Sequence, residues 1–336
     1  SVTGVQTCAL PIFSGTISVD NANLLDLATT GTITASIDTD ETVTELKTLT
    51  GTTHAYTIVI AAGDATSSSA SDLNTINEKT TAAINASAIT ALTSDTIDNI
   101  KTLLTAGNDT DQFTSTSFSS LATAVVSDSS LSVADLTGAI DQANTATGGT
   151  STVFSLNSGA TINGGTASDF TSLLANETAS QVSITDQNLT VDSGTISVAN
   201  ARAFSAATTG TVTGTVTSGT TMAAMLDSST GLAETGHALT ITIASGDAEA
   251  TAANLTALYG KTTVAVDASS VTQITGTVAE ANILYAAGAS EITGLGNETV
   301  VLTETGLNDG SAEGTVATLN TLDNNTTGTI NAGSIT

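Results

Sequence analysis

The chain repeats itself over a long interval. Ser14-Gly15-Thr16-Ile17-Ser18-Val19 returns as Ser193-Gly194-Thr195-Ile196-Ser197-Val198, and Ala28-Thr29-Thr30-Gly31 as Ala207-Thr208-Thr209-Gly210. Further on, His54-Ala55 matches His237-Ala238 and Gly63-Asp64-Ala65 matches Gly246-Asp247-Ala248. Lys79-Thr80-Thr81 matches Lys261-Thr262-Thr263. Self-similarity of this kind predicts a repeat architecture, in which each unit covers the apolar face of its neighbour. It divides the chain into a leader (1–12), a first copy (13–192) and a second, truncated copy (193–336). Strand and helix signals run through Val182–Val198 without a Gly/Pro/Ser linker, so both copies are expected in one continuous structure.

A shorter unit of about 25–30 residues lies beneath the long repeat. Apolar residues recur at helical spacing in Leu73/Ile76, Ile97/Ile100/Leu103/Leu104, Val133/Leu136/Ile140, Phe170/Leu173/Leu174 and Val198/Ala201/Phe204. Glycines such as Gly107, Gly210 and Gly260 follow in the place of a helix stop. Short Thr/Ile/Val runs come next, among them Thr32–Ile37, Tyr56–Ile60, Thr211–Val216 and Leu239–Ile243. Their period of two puts aliphatic side chains on one face and Thr on the other. Helix, turn and strand in short alternation predict an α/β repeat solenoid of about 12 coils, with a parallel β-sheet and short helices on one face. A pure parallel β-solenoid is the alternative, favoured by the low helix propensity of Thr, Ser and Asn.

Composition limits the partners. The chain has 336 residues, 5 Lys+Arg against 32 Asp+Glu, and a net charge of −27. That balance opposes nucleic acid, which needs clustered cations to neutralise phosphate, and it opposes anionic membrane surfaces. No apolar run reaches the ~18–20 residues of a membrane span, so no membrane insertion is expected. Aromatics make up only 3 %, which suits a thin core of small aliphatic side chains rather than a deep one.

Cys8 and Pro11 are the only cysteine and proline, and both fall in Ser1–Ile12, a stretch without a partner in the repeat. It reads as a foreign leader, similar to a translated sequencing adapter, and is set apart from the fold. The final Ile330–Thr336 parallels Ile84–Thr90 and Val266–Thr272, copies that continue where this one stops, so the chain is expected to be a window on a longer protein.

The phrases Ser71–Ile76, Thr208–Val212, Asp267–Gly276 and Leu319–Asp323 resemble the repeats of very large, acidic, Thr-rich "beta strand repeat" surface proteins of aquatic bacteria. The resemblance covers essentially everything after residue 13. It implies structural material at the cell surface or outside the cell: a stalk, coat or extracellular matrix fibre. Its partners would be further repeats of the same polypeptide or like chains. It supplies no site residues. The alternative is an adhesin-type binding module that recognises glycans or neighbouring cells through the Thr/Asn-rich sheet face.

The sequence gives no positive sign of catalysis. Lys47, Lys79, Lys101, Arg202 and Lys261 are scattered, and there is no phosphate loop, nucleophile elbow or zinc signature. His54 and His237 sit at equivalent positions before a strand, with no ligand or base near them in sequence. No cofactor is expected apart from Ca²⁺, for which Asp64, Asp247, Asp109 and Asp111 are the candidate ligands. Asp64 and Asp247 recur at the same repeat position, and Gly107–Asp111 is a loose oxygen-rich cluster, as is Asn308–Glu313. The competing reading of each is an ordinary solvated turn.

Overall fold

Ser and Thr residues decide where the helices begin. Ser18, Thr42, Ser69, Thr96, Ser132, Thr166, Ser197, Thr221, Thr251 and Thr277 each stand one place before a helix. Each accepts the backbone N–H three residues on. This satisfies one of the N–H groups that a helix leaves without an internal partner. The helices are α1 (Val19–Ala28), α2 (Val43–Leu46), α3 (Ala70–Asn77), α4 (Ile97–Gly107), α5 (Val133–Ala146), α6 (Ala167–Thr178), α7 (Val198–Ala207), α8 (Met222–Leu226), α9 (Ala252–Tyr259) and α10 (Val278–Ala287), followed by α11 (Ala312–Asn325). The apolar triplets form their inner faces: Leu73 and Ile76 in α3, Ile100, Leu103 and Leu104 in α4, and Leu136 and Ile140 in α5 are all fully buried.

The computed structural model describes residues 15–148, 152–232, 236–304 and 312–332. The leader 1–12 and residues 308–311 of the Asn308–Glu313 cluster lie outside the described residues. The chain packs into two compact units. The first runs from the first described residues to Ala160 and takes in Ala175–Ser183. The second comprises Thr161–Leu174 and everything from Ile184 onward.

In the first unit the strands are β1 (Thr16–Ile17), β2 (Thr34–Ile37), β3 (Ala55–Thr57), β4 (Ala91–Asp95), β5 (Thr123–Val126), β6 (Ser130–Ser132) and β7 (Val153–Ser155). They make one parallel sheet in the order β1-β2-β3 and another in the order β4-β5-β7. In the second unit β8 (Thr161–Gly165), β9 (Asn188–Val191), β10 (Val212–Thr215) and β11 (Ala238–Thr240) are successive parallel neighbours. A further sheet has the order β12-β14-β16-β17, from Glu249–Thr251, Gln273–Gly276, Thr299–Leu302 and Ile330–Asn331. A separate pair joins β13 (Val266–Asp267) to β15 (Ile292–Thr293).

This architecture corrects the solenoid expectation in both of its forms. The fold is mixed α/β, with several discrete parallel sheets of two to five strands, rather than one continuous α/β or pure β coil of about 12 turns. The physical reason lies in the connections. Neighbouring segments that bond to one another are 21 residues apart at Val43 and Asp64, 31 at Ile97 and Asp128, and 37 at Asn144 and Gln181. The connections are thus uneven in length, and the pairing of strands is interrupted along the chain. Pairing shifts between Leu92 and Asp95 and between Ile162 and Gly165. Elsewhere it shrinks to single bridges, as at Val59↔Asn85 and Ile84↔Phe113.

The resemblance to beta strand repeat surface proteins falls with that expectation, since the chain is not a tandem run of strand repeats. So does the reading as a stalk, coat or matrix fibre, which required one sheet running through the chain. The expected partners, further repeats or like chains, are corrected too: each unit is packed around its own buried residues rather than forming part of an array built for self-association. No helix among the described residues is long and apolar enough to cross a membrane.

Tyr56 and five of the phenylalanines are buried. Phe113 and Phe118 are fully buried, with ring centroids 5.1 Å apart and a tilt of 55°. Phe118 adopts a left-handed backbone, φ 59°, uncommon for so bulky a residue. Its ring lies over Gly107, where an added Cβ would come within 2.7 Å of Cδ2. Gly107 therefore does more than end α4: it makes room for the ring. Gly107→Ala is expected to lower unfolding free energy by about 1–3 kcal/mol, the usual cost of overpacking. Urea denaturation of the two proteins, with m held constant, checks this.

Candidate functional site

Carboxylates close the helix N-termini from a distance. Val19 N–H donates to Glu41 Oε1, Val43 N–H to Asp64 Oδ2 and Ile97 N–H to Asp128 Oδ2, at 2.9, 2.9 and 2.7 Å. In the second unit Met222 N–H donates to Asp247 Oδ2 at 2.6 Å and Val278 N–H to Glu304 Oε1 at 2.8 Å. Each donor is the first residue of its helix, where the helix dipole also favours negative charge. In α3 the second residue, Ser71, donates to Asp95 Oδ2 at 2.6 Å. Asp95 is 8 % exposed and also accepts from Asn99 Nδ2 and Thr96 N–H. Burial alone would raise its pKa, but these hydrogen bonds outweigh it and hold the carboxyl below the usual range.

Two of the candidate calcium ligands, Asp64 and Asp247, are thus acceptors at helix ends. Asp64 and Asp247 do occupy equivalent places, each at the end of a short 3₁₀ turn, but they lie in different units and each faces a helix N-terminus. Asp109 and Asp111 are adjacent and exposed. Asp109 accepts from Gln112 Nε2 and from Asp111 N–H, which keeps its carboxyl below the usual range. Among the described residues no three His, Cys, Asp or Glu side chains are grouped as a metal would need.

His54 and His237 are clasps in the backbone. Ile33 N–H donates to His54 Nδ1 at 3.0 Å, and Val212 N–H donates to His237 Nδ1 at 3.1 Å. The carbonyl of His54 accepts Thr81 N–H, as that of His237 accepts Thr263 N–H. Thr80 Oγ1 donates to Tyr56 O and Thr262 Oγ1 to Leu239 O, at 2.8 and 2.7 Å. Thus the repeated His-Ala and Lys-Thr-Thr phrases are two halves of one contact. The copies differ in sequence beside the ring: His54 Nε2 donates to Asp26 Oδ1 at 2.7 Å, and Ser205 stands at the place of Asp26 in the repeat. Ser205 donates to Ala201 O and lines, with His237 and Thr208, a cavity of about 420 Å³.

A larger groove of about 650 Å³ runs along the seam of α3 and α4 in the first unit. Asn74, Asn77 and Glu78 line one side, Asp98, Lys101 and Thr105 the other, and Gln112 contributes from the following loop. Several of its donors are held by the scaffold. Asn74 Nδ2 donates to Asn99 O, Asn77 Nδ2 to Gln112 Oε1, and Gln112 Nε2 to Asp109. Lys101 Nζ is 2.7 Å from Asp135 Oδ1, and this contact, with Ser132, keeps the Asp135 carboxyl below the usual range. Beside Lys101 and Thr102 the wall carries acceptors: amide oxygens of Asn74 and Asn77 and the carboxylates of Glu78 and Asp98. Sequence reasoning missed this groove, because only the packing of α3 on α4 brings its residues together.

No family model matches this sequence, no curated protein is similar to it, and no solved structure matches its fold.

Two expectations follow from this geometry. Asp95, held low in the folded chain, contributes stability that is present above about pH 4, where an unfolded Asp ionises, and lost as pH falls through its folded value. Asp95→Asn is expected to cost about 1–2 kcal/mol at pH 7, because hydrogen bonds to a charged acceptor become neutral ones. It should also flatten the loss of stability between pH 5 and 2.5 in urea titrations. Separately, with the Asp64 and Asp247 carboxylates each engaged at a helix end, millimolar Ca²⁺ is expected to raise the thermal midpoint no further than NaCl of matched ionic strength.

Proposed function

We propose that the chain is a recognition module of the adhesin type, not an enzyme, and that it binds glycans in the α3–α4 groove. The observation that carries this reading is the set of acceptors on the wall of that groove. A sugar presents a row of hydroxyl donors, and amide and carboxylate oxygens are their complement. The volume suits one or two sugar rings, and the site differs from the Thr-rich sheet face that the sequence suggests for this role.

The side chains elsewhere support recognition over chemistry. His54 has both ring nitrogens in use, and the buried aromatics pack in the core. The reading places the module outside the cell, where glycans are met and where salt screens a charge of −27.

A glycan array with the purified protein, followed by calorimetric titration, tests it. Glu78→Gln and Asp98→Asn are each expected to weaken binding at least about tenfold, equal to ~1.4 kcal/mol, with the thermal midpoint little changed. Silence across the array, or variants that bind as well as the parent, rejects the reading.

A further inference from the structure

We propose that His54 is an acid-operated latch in the first unit: charging the ring releases the Ile33 amide and the start of β2, while the ring stays clamped to Asp26. The ring is 4 % exposed and ties together three segments. Nδ1 accepts from Ile33 N–H, which precedes β2, and Nε2 faces Asp26 Oδ1 on α1. The backbone carbonyl holds Thr81. An acceptor role at Nδ1 fixes the tautomer, so the single ring proton sits on Nε2 and is donated to Asp26.

Gly51 holds this arrangement close. Its backbone is left-handed, φ 76°, and an added Cβ would lie 2.5 Å from His54 Nε2 and 3.2 Å from Asp26 Oδ1. Only glycine leaves space for the His54–Asp26 contact at this position.

The incoming proton can enter only at the Nδ1 lone pair. That removes the acceptor for Ile33 and sets two N–H donors against each other. At Nε2 the opposite happens, since the neutral contact with Asp26 becomes an ion pair. The charged ring therefore follows α1 and lets β2 go. Two titratable groups face the ring: Asp26 from α1 and Tyr56 from β3, the latter with ring centroids 5.3 Å apart. The hydrogen bond from His54, with one from Thr50, keeps the Asp26 carboxyl below the usual range. Burial, with the charge of Asp26, pushes the Tyr56 hydroxyl up to about 12. Neither changes charge in mild acid. β2 is the middle strand of β1-β2-β3, so its release loosens both of its neighbours while α4 stays intact.

Amide hydrogen exchange on the whole chain, from pH 8 to 5, tests the latch when read as protection factors corrected for intrinsic rate. The Ile33 protection factor is expected to fall at least tenfold as the His54 ring signals titrate, with Leu103 and Leu104 in α4 unchanged. In His54→Gln an amide oxygen can accept from Ile33 and an amide N–H can donate to Asp26, with no titration between. There Ile33 should stay protected throughout. Ile33 protection that persists through the titration of the ring, or that falls equally in the Gln variant, overturns the proposal. Should that variant fail to fold, the wild-type signals decide. Coincident midpoints for the ring and the Ile33 amide uphold the latch, and an Ile33 amide unmoved by ring protonation refutes it.

Discussion

A helix N-terminus cannot satisfy its own first N–H groups, and this chain answers that constraint twice at several helices. A Ser or Thr next to the helix accepts the N–H of the third position, and a carboxylate from a later segment accepts that of the first. The second acceptor is what binds one segment to another. It gives an acidic chain a use for its charge, because a carboxylate at the positive end of a helix is stabilised while the same group on open surface repels its neighbours. Net charge of −27 is thus in part a structural requirement, and Glu41, Asp64, Asp128, Asp247 and Glu304 are as much part of the fold as the buried leucines.

Between the helices the same economy of side chains recurs. Asn23, Asn74, Asn108 and Asn282 each donate a side-chain N–H to a backbone carbonyl of a neighbouring segment, at Thr48, Asn99, Gln142 and Thr318. Lys47 and Lys101 reach Asp72 and Asp135 on the next helix. Long-range polar contacts of this kind let small side chains serve where a larger core would need aromatics. They also shape the α3–α4 groove, since amides that turn their donors toward the scaffold show their oxygens to solvent.

Local features were legible in the sequence. The triplets of α3, α4 and α5 follow from helical periodicity, and the Ser or Thr before each helix was there to be read as a cap. The long repeat foretold the paired roles of His54 and His237, and of Thr80 and Thr262, without saying what those roles were. The assembly of strands into sheets was not legible. Thr32–Ile37 and Leu239–Ile243 look alike as patterns, yet whether neighbouring strands join depends on connection length and register, which a periodic reading treats as constant. The helix-closing role of Asp64 and Asp247 was not legible for a related reason: the N–H groups they serve lie 21 and 25 residues earlier, beyond any local motif.

Helix ends closed by later segments give the fold a direction in time. Emerging from the ribosome, α1 meets its Ser18 at once but must wait for Glu41, α2 must wait for Asp64, and α4 for Asp128. Each of these three helices lacks its second acceptor until roughly another twenty to thirty residues have been made, so its first N–H is closed only by chain that follows it. The chain is its own timetable: what it has just synthesised is finished by what comes next.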